Sequence, residues 1–227
     1  MMNSLVSSRS RIARGVASLA VAVAAFSPSI AIAQQVTFED GVGDPYLTGV
    51  NYVATNYKGW TWTNFWVMQP STASLDPSGY RNLAAKTAST RVGFANAYVD
   101  SRFDPTLTPT TWISVNSGTF DFLNAWVASA WLSDVTLTMV GYDINNIATT
   151  RTFTLSPVAK FIEPGFKNVK KVTFLTSYGS NTPGYGDSGT AFAIDNINTS
   201  TVPEPSTVAL LAAGLAGIGV AARRRKR

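Results

Sequence analysis

Between Gln34 and Val202 short runs in which apolar and polar residues alternate recur, and no stretch holds a helical apolar period for three turns. Runs of this kind, bounded by Gly, Pro, Asn and Asp, predict strands over Val36–Asp40, Gly59–Val67, Ala88–Val99, Ser117–Ser129, Val135–Tyr142, Thr150–Leu155, Lys170–Thr176 and Thr190–Ile197. Asp143, Asn145 and Asn146 separate two alternating runs as a hairpin turn does. In the Gly59–Val67 run, alternation places Trp60, Trp62 and Trp66 on one face and Thr61, Thr63 and Phe65 on the other. Longer loops are expected at Gln69–Tyr80 and Asp100–Thr111, where Pro and Ser interrupt the pattern. About eight short strands without an internal repeat predict an all-β fold, a β-sandwich of jelly-roll-like arrangement.

Two apolar runs break the alternation, one near each end. The first, Gly15–Phe26, follows Arg9, Arg11 and Arg14 and precedes Pro28 and Ala31-Ile32-Ala33. A basic start, a short apolar helix and small residues before the cut are the parts of a secretory signal peptide, predicted here as residues 1–33 with cleavage before Gln34. The second, Val208–Ala222, follows Val202-Pro203-Glu204-Pro205 and ends in Arg223, Arg224, Arg225, Lys226 and Arg227. As a helix it reaches only about 22 Å against a hydrocarbon core of about 30 Å, so Ser206, Thr207 and snorkelling arginines must extend it as a single transmembrane segment. The terminal cations hold that end in the cytoplasm and leave the preceding domain outside the inner membrane. The chain thus divides into a leader (1–33), a β-sandwich ectodomain (34–201) and a tail (202–227).

Charge looks different once the ends are set aside. The 227 residues carry a formal charge of +5, but 8 of the 18 basic residues lie in the leader and tail. From Gln34 to Val202 there are 10 basic against 12 acidic residues, so the domain lacks the clustered cations of a nucleic-acid binder. With neither Cys nor His in the chain, disulfides, thiolate zinc sites, iron–sulfur clusters, cysteine nucleophiles and every imidazole-based catalytic or metal motif are excluded. Carboxylates, hydroxyls, tyrosines, lysines and an oxygen-bound cation are what remain.

Val202-Pro203-Glu204-Pro205, the apolar helix and the basic terminus together resemble the PEP-CTERM sorting signal of Gram-negative bacteria. That resemblance implies recognition by an exosortase, an integral-membrane transpeptidase that cuts near Pro-Glu-Pro and passes the protein from a transient inner-membrane anchor toward the cell surface or extracellular matrix. It also implies an association with exopolysaccharide and biofilm. Phe38-Glu39-Asp40, Phe120-Asp121-Phe122, Val140-x-Tyr142 and Phe192–Ile197 resemble a recurrent ectodomain of PEP-CTERM proteins, itself similar to jelly-roll carbohydrate-binding modules. In such modules the first and last strands adjoin and often share calcium. The resemblance therefore offers Glu39, Asp40, Asp195 and Asn196 as oxygen ligands of a structural calcium.

Tyr57, Trp60, Trp62 and Trp66 would form a sugar-stacking platform if their face were open, with core packing as the competing role. Asp121, Asp143, Asp187 and Asp195 are the central carboxylates available for glycoside hydrolysis. They show no motif, and each adjoins turn-forming residues, so no catalytic residues are expected. Thr61 and Thr63, Thr136 and Thr138, and Thr152 and Thr154 raise ice binding, although alternating threonine is first a strand preference. The expected protein is therefore a non-catalytic surface or matrix component, with exosortase and secretion machinery as partners and exopolysaccharide as a further one. A carbohydrate-binding module is the alternative.

Overall fold

A computed structural model describes residues 32–40, 50–70, 77–97, 111–183 and 189–202, together with Gly214. Almost all of the expected leader, the Pro203-Glu204-Pro205 segment and the apolar run 208–222 except Gly214 lie outside the described residues. Among the described residues no helix is long and apolar enough to cross a membrane.

The strands are β1 (Ile32–Val36), β2 (Val50–Tyr52), β3 (Thr61–Thr63), β4 (Trp66–Met68), β5 (Val92–Ala95), β6 (Thr111–Ser114), β7 (Thr119–Ser129), β8 (Val135–Asp143), β9 (Ala148–Leu155), β10 (Lys160–Ile162), β11 (Phe166–Thr176) and β12 (Phe192–Val202). Helix α1 (Gly79–Thr87) stands between β4 and β5. Among the described residues every strand pairing is antiparallel, and the twelve strands belong to one hydrogen-bonded sheet in the order β2-β4-β5-β12-β7-β11-β6-β3. β1 joins the flank of β12, β10 that of β7, and the β8–β9 hairpin that of β11. β11 changes partners along its length: it meets β7 at Phe166 opposite Phe122 and Val169 opposite Phe120, with a register shift between them, and from Lys171 onward it lies between β6 and β8. The fold is accordingly all-β and sandwich-like, and rings from its two sides meet inside. Phe174 of β11 lies 5.4 Å from Phe65 and 5.7 Å from Phe192 of β12.

The alternating segments form the long strands because one of their faces reaches this core. Along β8, Val135, Leu137 and Met139 are buried while Thr136, Thr138 and Val140 are only partly so. The hairpin turn forms as predicted: Asp143 Oδ1 accepts the backbone N–H groups of Asn145 at 2.8 Å and Ile147 at 2.7 Å. Paired bulges adjust the β12–β7 ladder, one around Asn196, which adopts φ 48°, and one where Asn198 and Thr199 face Asn124 and Phe122.

Three expectations need correcting. The first strand ends at Val36 instead of starting there, because Phe38 takes φ 59° and turns its ring into the core. The single strand expected over Gly59–Val67 is two strands. Asn64 at φ 55° breaks it, so that β3 pairs with β6 while β4 pairs with β2 and β5. Part of the expected Gln69–Tyr80 loop and the start of the Ala88–Val99 run flank α1 instead. Ser78 Oγ caps this helix by accepting the Arg81 N–H at 3.3 Å, and Ala88 ends it in the left-handed region.

Helix α1 lies backbone to backbone on β7. The Gly79 N–H donates to the Ala130 carbonyl at 2.8 Å, and Asn82 Nδ2 donates to the Pro157 carbonyl at 2.9 Å. A Cβ on Gly79 would fall 1.7 Å from the Ser129 carbonyl oxygen, and one on Gly93 would fall 2.5 Å from the Phe38 ring. Gly79→Ala is expected to cost at least the upper end of about 1–3 kcal/mol, and Gly93→Ala less because a ring yields more readily than backbone. Urea unfolding midpoints check this, and an unchanged midpoint for Gly79→Ala would show that the close approach is absent.

Candidate functional site

The change of layer at Asn64 decides where the aromatic residues go. Before it, Trp60 and Trp62 face inward and are 2% and 4% exposed; after it, Phe65 and Val67 face inward and Trp66 is left outside. Trp60 packs edge-on to Phe120 at 4.2 Å, and Trp62 packs on Phe38 at 5.5 Å and Phe65 at 5.2 Å. Their indole N–H groups are satisfied internally, by Gln34 Oε1 at 3.3 Å and by the Tyr57 carbonyl at 2.9 Å. Tyr57 stacks on Phe38 at 5.8 Å and donates its hydroxyl to Asp40 Oδ1. Burial, then the Asp40 carboxylate, raises the Tyr57 pKa and keeps the phenol protonated. The expected platform of Tyr57, Trp60, Trp62 and Trp66 therefore does not form, since three of its members belong to the core and its edge.

Trp66 instead joins a row that the sequence pattern did not reveal. Cross-strand register sets Tyr52 of β2 opposite Trp66 of β4, and Trp66 opposite Phe94 of β5. The ring centroids lie 5.2 Å apart with planes tilted by 39°, then 5.8 Å apart with planes tilted by 27°. Tyr52 is 70% exposed, while Trp66 and Phe94 are half-buried. Tyr80 of α1 closes the inner end by meeting Phe94 edge-on at 5.4 Å, with Trp131 behind it at 5.7 Å. Another outward pair, Trp126 and Phe161, lies 5.3 Å apart, with the Lys86 ammonium 4.9 Å from the Trp126 ring.

The four residues offered as calcium ligands divide by environment. Asp40 is held by the Lys58 ammonium and the Tyr57 hydroxyl, which in that order lower its pKa and occupy both its oxygens. Glu39 is engaged with the β5 approach, accepting the Thr90 N–H at 2.7 Å, the Thr90 hydroxyl and the Arg91 N–H at 2.9 Å. Asn196 sits at the β12 bulge with its carbonyl accepting Asn198 Nδ2 at 3.5 Å. Asp195 is the exception. It is fully buried on the face of β12 that carries α1, Oδ2 accepts the Ser89 hydroxyl at 2.6 Å, and Oδ1 has no hydrogen-bond partner. Burial foremost, with a smaller contribution from Glu39, raises its pKa from an ordinary 3.8 to about 6 against the opposing effects of the Ser89 and Thr87 hydroxyls and the Asn196 backbone. Among the described residues no group of three or more carboxylates forms a metal cage. Of the four, Asp195 alone keeps an oxygen without a hydrogen bond, while both oxygens of Asp40 are occupied.

The remaining central carboxylates are engaged by the backbone. Asp121 accepts the Lys167 ammonium and the Asn168 N–H, each at 2.9 Å. Its burial raises the pKa, but these donors outweigh that and lower it. Asp143 closes the hairpin, and Asp187 lies outside the described residues. The threonines do share an outer face, with Thr138 opposite Thr152 and Thr136 opposite Thr154. Trp112, Lys171, Val140 and Leu175 interrupt that face, so it is no uniform hydroxyl array. Of the sorting residues, Val202 ends β12, opposite Thr119; Pro203, Glu204 and Pro205 lie outside the described residues.

Residues 201–226 match the model of the PEP-CTERM protein-sorting motif. No curated protein matches the chain. Among solved structures, it is similar to a DUF4465 family protein from Bacteroides ovatus ATCC 8483 at 10% identity, covering 76% of this chain and 100% of that one with a TM-score of 0.45. A DUF4465 family protein from Bacteroides caccae ATCC 43185 is similar at 10% identity over 78% of this chain and 91% of that one, with a TM-score of 0.42. TmCBM61, solved in complex with β-1,4-galactotriose, is similar at 11% identity over 67% of this chain and 99% of that one, with a TM-score of 0.34. The chain thus carries a PEP-CTERM sorting motif, which implies an exported protein processed by exosortase, behind an all-β, sandwich-like domain.

Proposed function

We propose that the chain is the precursor of a non-catalytic surface or matrix protein, whose β-sandwich works within an extracellular polysaccharide layer after the tail is removed. The observation that carries this reading is the sorting motif at residues 201–226, which starts within the last two residues of β12. The domain ahead of it supports a non-catalytic role, because Asp121 and Asp143 are engaged in holding backbone and Asp195 is sealed beneath α1. A carbohydrate-binding role through Trp60 and Trp62 has no open ring to rest on.

Calcium stays in this proposal at Asp195 through its unpartnered Oδ1, with the Glu39 carboxylate nearby, where it would have to displace the proton that burial favours. A cation there would neutralise a buried charge; it has no part in any reaction.

Intact-mass measurement of the surface-extracted protein is expected to show loss of the tail in cells with exosortase and its retention in cells lacking the enzyme. Retention in both would refute the processing. Without metal, the native protein holds a proton on Asp195 up to about pH 6 while the unfolded chain releases it near 3.8. Stability contributed by this group therefore falls as pH rises between those values, by roughly 2–3 kcal/mol. Asp195→Asn should remove that slope in urea titrations. Calcium should raise the melting temperature of the wild type at pH 7 and leave Asp195→Asn unmoved; equal responses would take the cation away from this residue.

A further inference from the structure

We infer that the Tyr52–Trp66–Phe94 row binds a neutral, extended glycan chain by stacking, an inference that rests on the polysaccharide-layer reading above and names the surface that would act there. The row is built by backbone register: three adjacent strands, β2, β4 and β5, each place one aromatic side chain at the same level of the sheet. Successive ring centroids are 5.2 Å and 5.8 Å apart and their planes turn by 39° and 27°, so Phe94 stacks on Trp66, Tyr52 leans on Trp66, and Tyr52 keeps most of its surface open. The inner two are half-buried and fixed by neighbours, Phe94 by Tyr80 at 5.4 Å, while Tyr52 at the outer end is open. Rigid, partly desolvated rings lose little freedom when a ligand covers them, which favours binding.

The chemistry of the row selects the ligand. A pyranose presents an apolar C–H face flanked by hydroxyls, and a ring row with polar margins complements it. Asn96, just past the end of β5 and two residues beyond Phe94, is exposed, with its Oδ1 accepting the Thr190 hydroxyl at 3.3 Å. The three register positions carry no charged side chain, so a uronic acid or sulfated polymer finds no counter-charge in the row itself. Lipid headgroups lack partners there for the same reason, since surface binding to anionic bilayers depends on clustered Lys and Arg. A single file of rings one strand apart suits a chain lying across the strands, with the open Tyr52 ring as its principal contact.

The full-length protein, held in a detergent without a sugar headgroup, is to be titrated with cellohexaose while tryptophan fluorescence and heat are followed. Saturable binding is expected, with Tyr52→Ala weakening it about tenfold or more and Asn96→Ala weakening it less. Tyr52 is an exposed edge-strand residue, so its truncation should leave the urea midpoint unchanged, and this measurement accompanies the titration. Absence of binding by the wild type would sink the inference, as would an affinity unchanged by Tyr52→Ala. A response confined to polygalacturonate, to phosphatidylglycerol vesicles or to self-association of the protein would also overturn it. If tail processing and co-purification with exopolymer persist while cellohexaose fails, the row is refuted and the surface-protein reading stands. Loss of processing refutes that reading whatever the titration shows.

Discussion

The structure depends on the double pairing of β12. This strand is hydrogen-bonded to β7 along most of its length, while its other side is shared between β5 at the start and β1 at the end. Its inward residues Phe192, Ile194 and Ile197 fill the core, and its outward Ala193 provides the small floor on which α1 rests. One strand thereby joins the layer that carries the aromatic row to β7 and, through it, to β11. The bulge at Asn196 lets the strand serve both sides without losing register.

Much of this was legible from alternation alone. The segments that became β7, β8, β11 and β12 each set one face in the core, and over β8 and the first half of β7 the other face is only partly buried, so period two was a sufficient signal there; the end of β7 and the start of β12 are buried on both faces where α1 covers them. Short elements were not legible in that way. β2, β3, β4 and β10 have three residues each, too few for a period to show, and only three residues of α1 are buried. Its signals were chemical: Ser78 as a cap before the helix formers Leu83, Ala84, Ala85 and Lys86.

The candidate site was hardest to foresee because one residue reversed it. Asn64 tolerates a left-handed backbone, and that turn carries the chain from one layer to the other and exchanges the inward and outward positions after it. A polar Asn amid four aromatic residues was the available clue. The partners of Trp66 could not be deduced locally, since Tyr52 and Phe94 stand beside it only through pairings of β2 and β5 with β4. Asp195 presents the same lesson in another form. Its neighbours Ser89 and Glu39 are remote in sequence, and what distinguishes it from Asp40 is the helix that covers it.

The β12 ladders also set how the domain carries load. A surface protein held through the end of β12 receives any pull along that strand's own axis. Antiparallel partners on both sides then meet the force in shear, so that several hydrogen bonds must fail together before the strand slips. From β12 the force path to Trp66 crosses only β5 before reaching β4. A pull on the end of β12 would thus reach the aromatic row through two antiparallel ladders, β12 on β5 and β5 on β4.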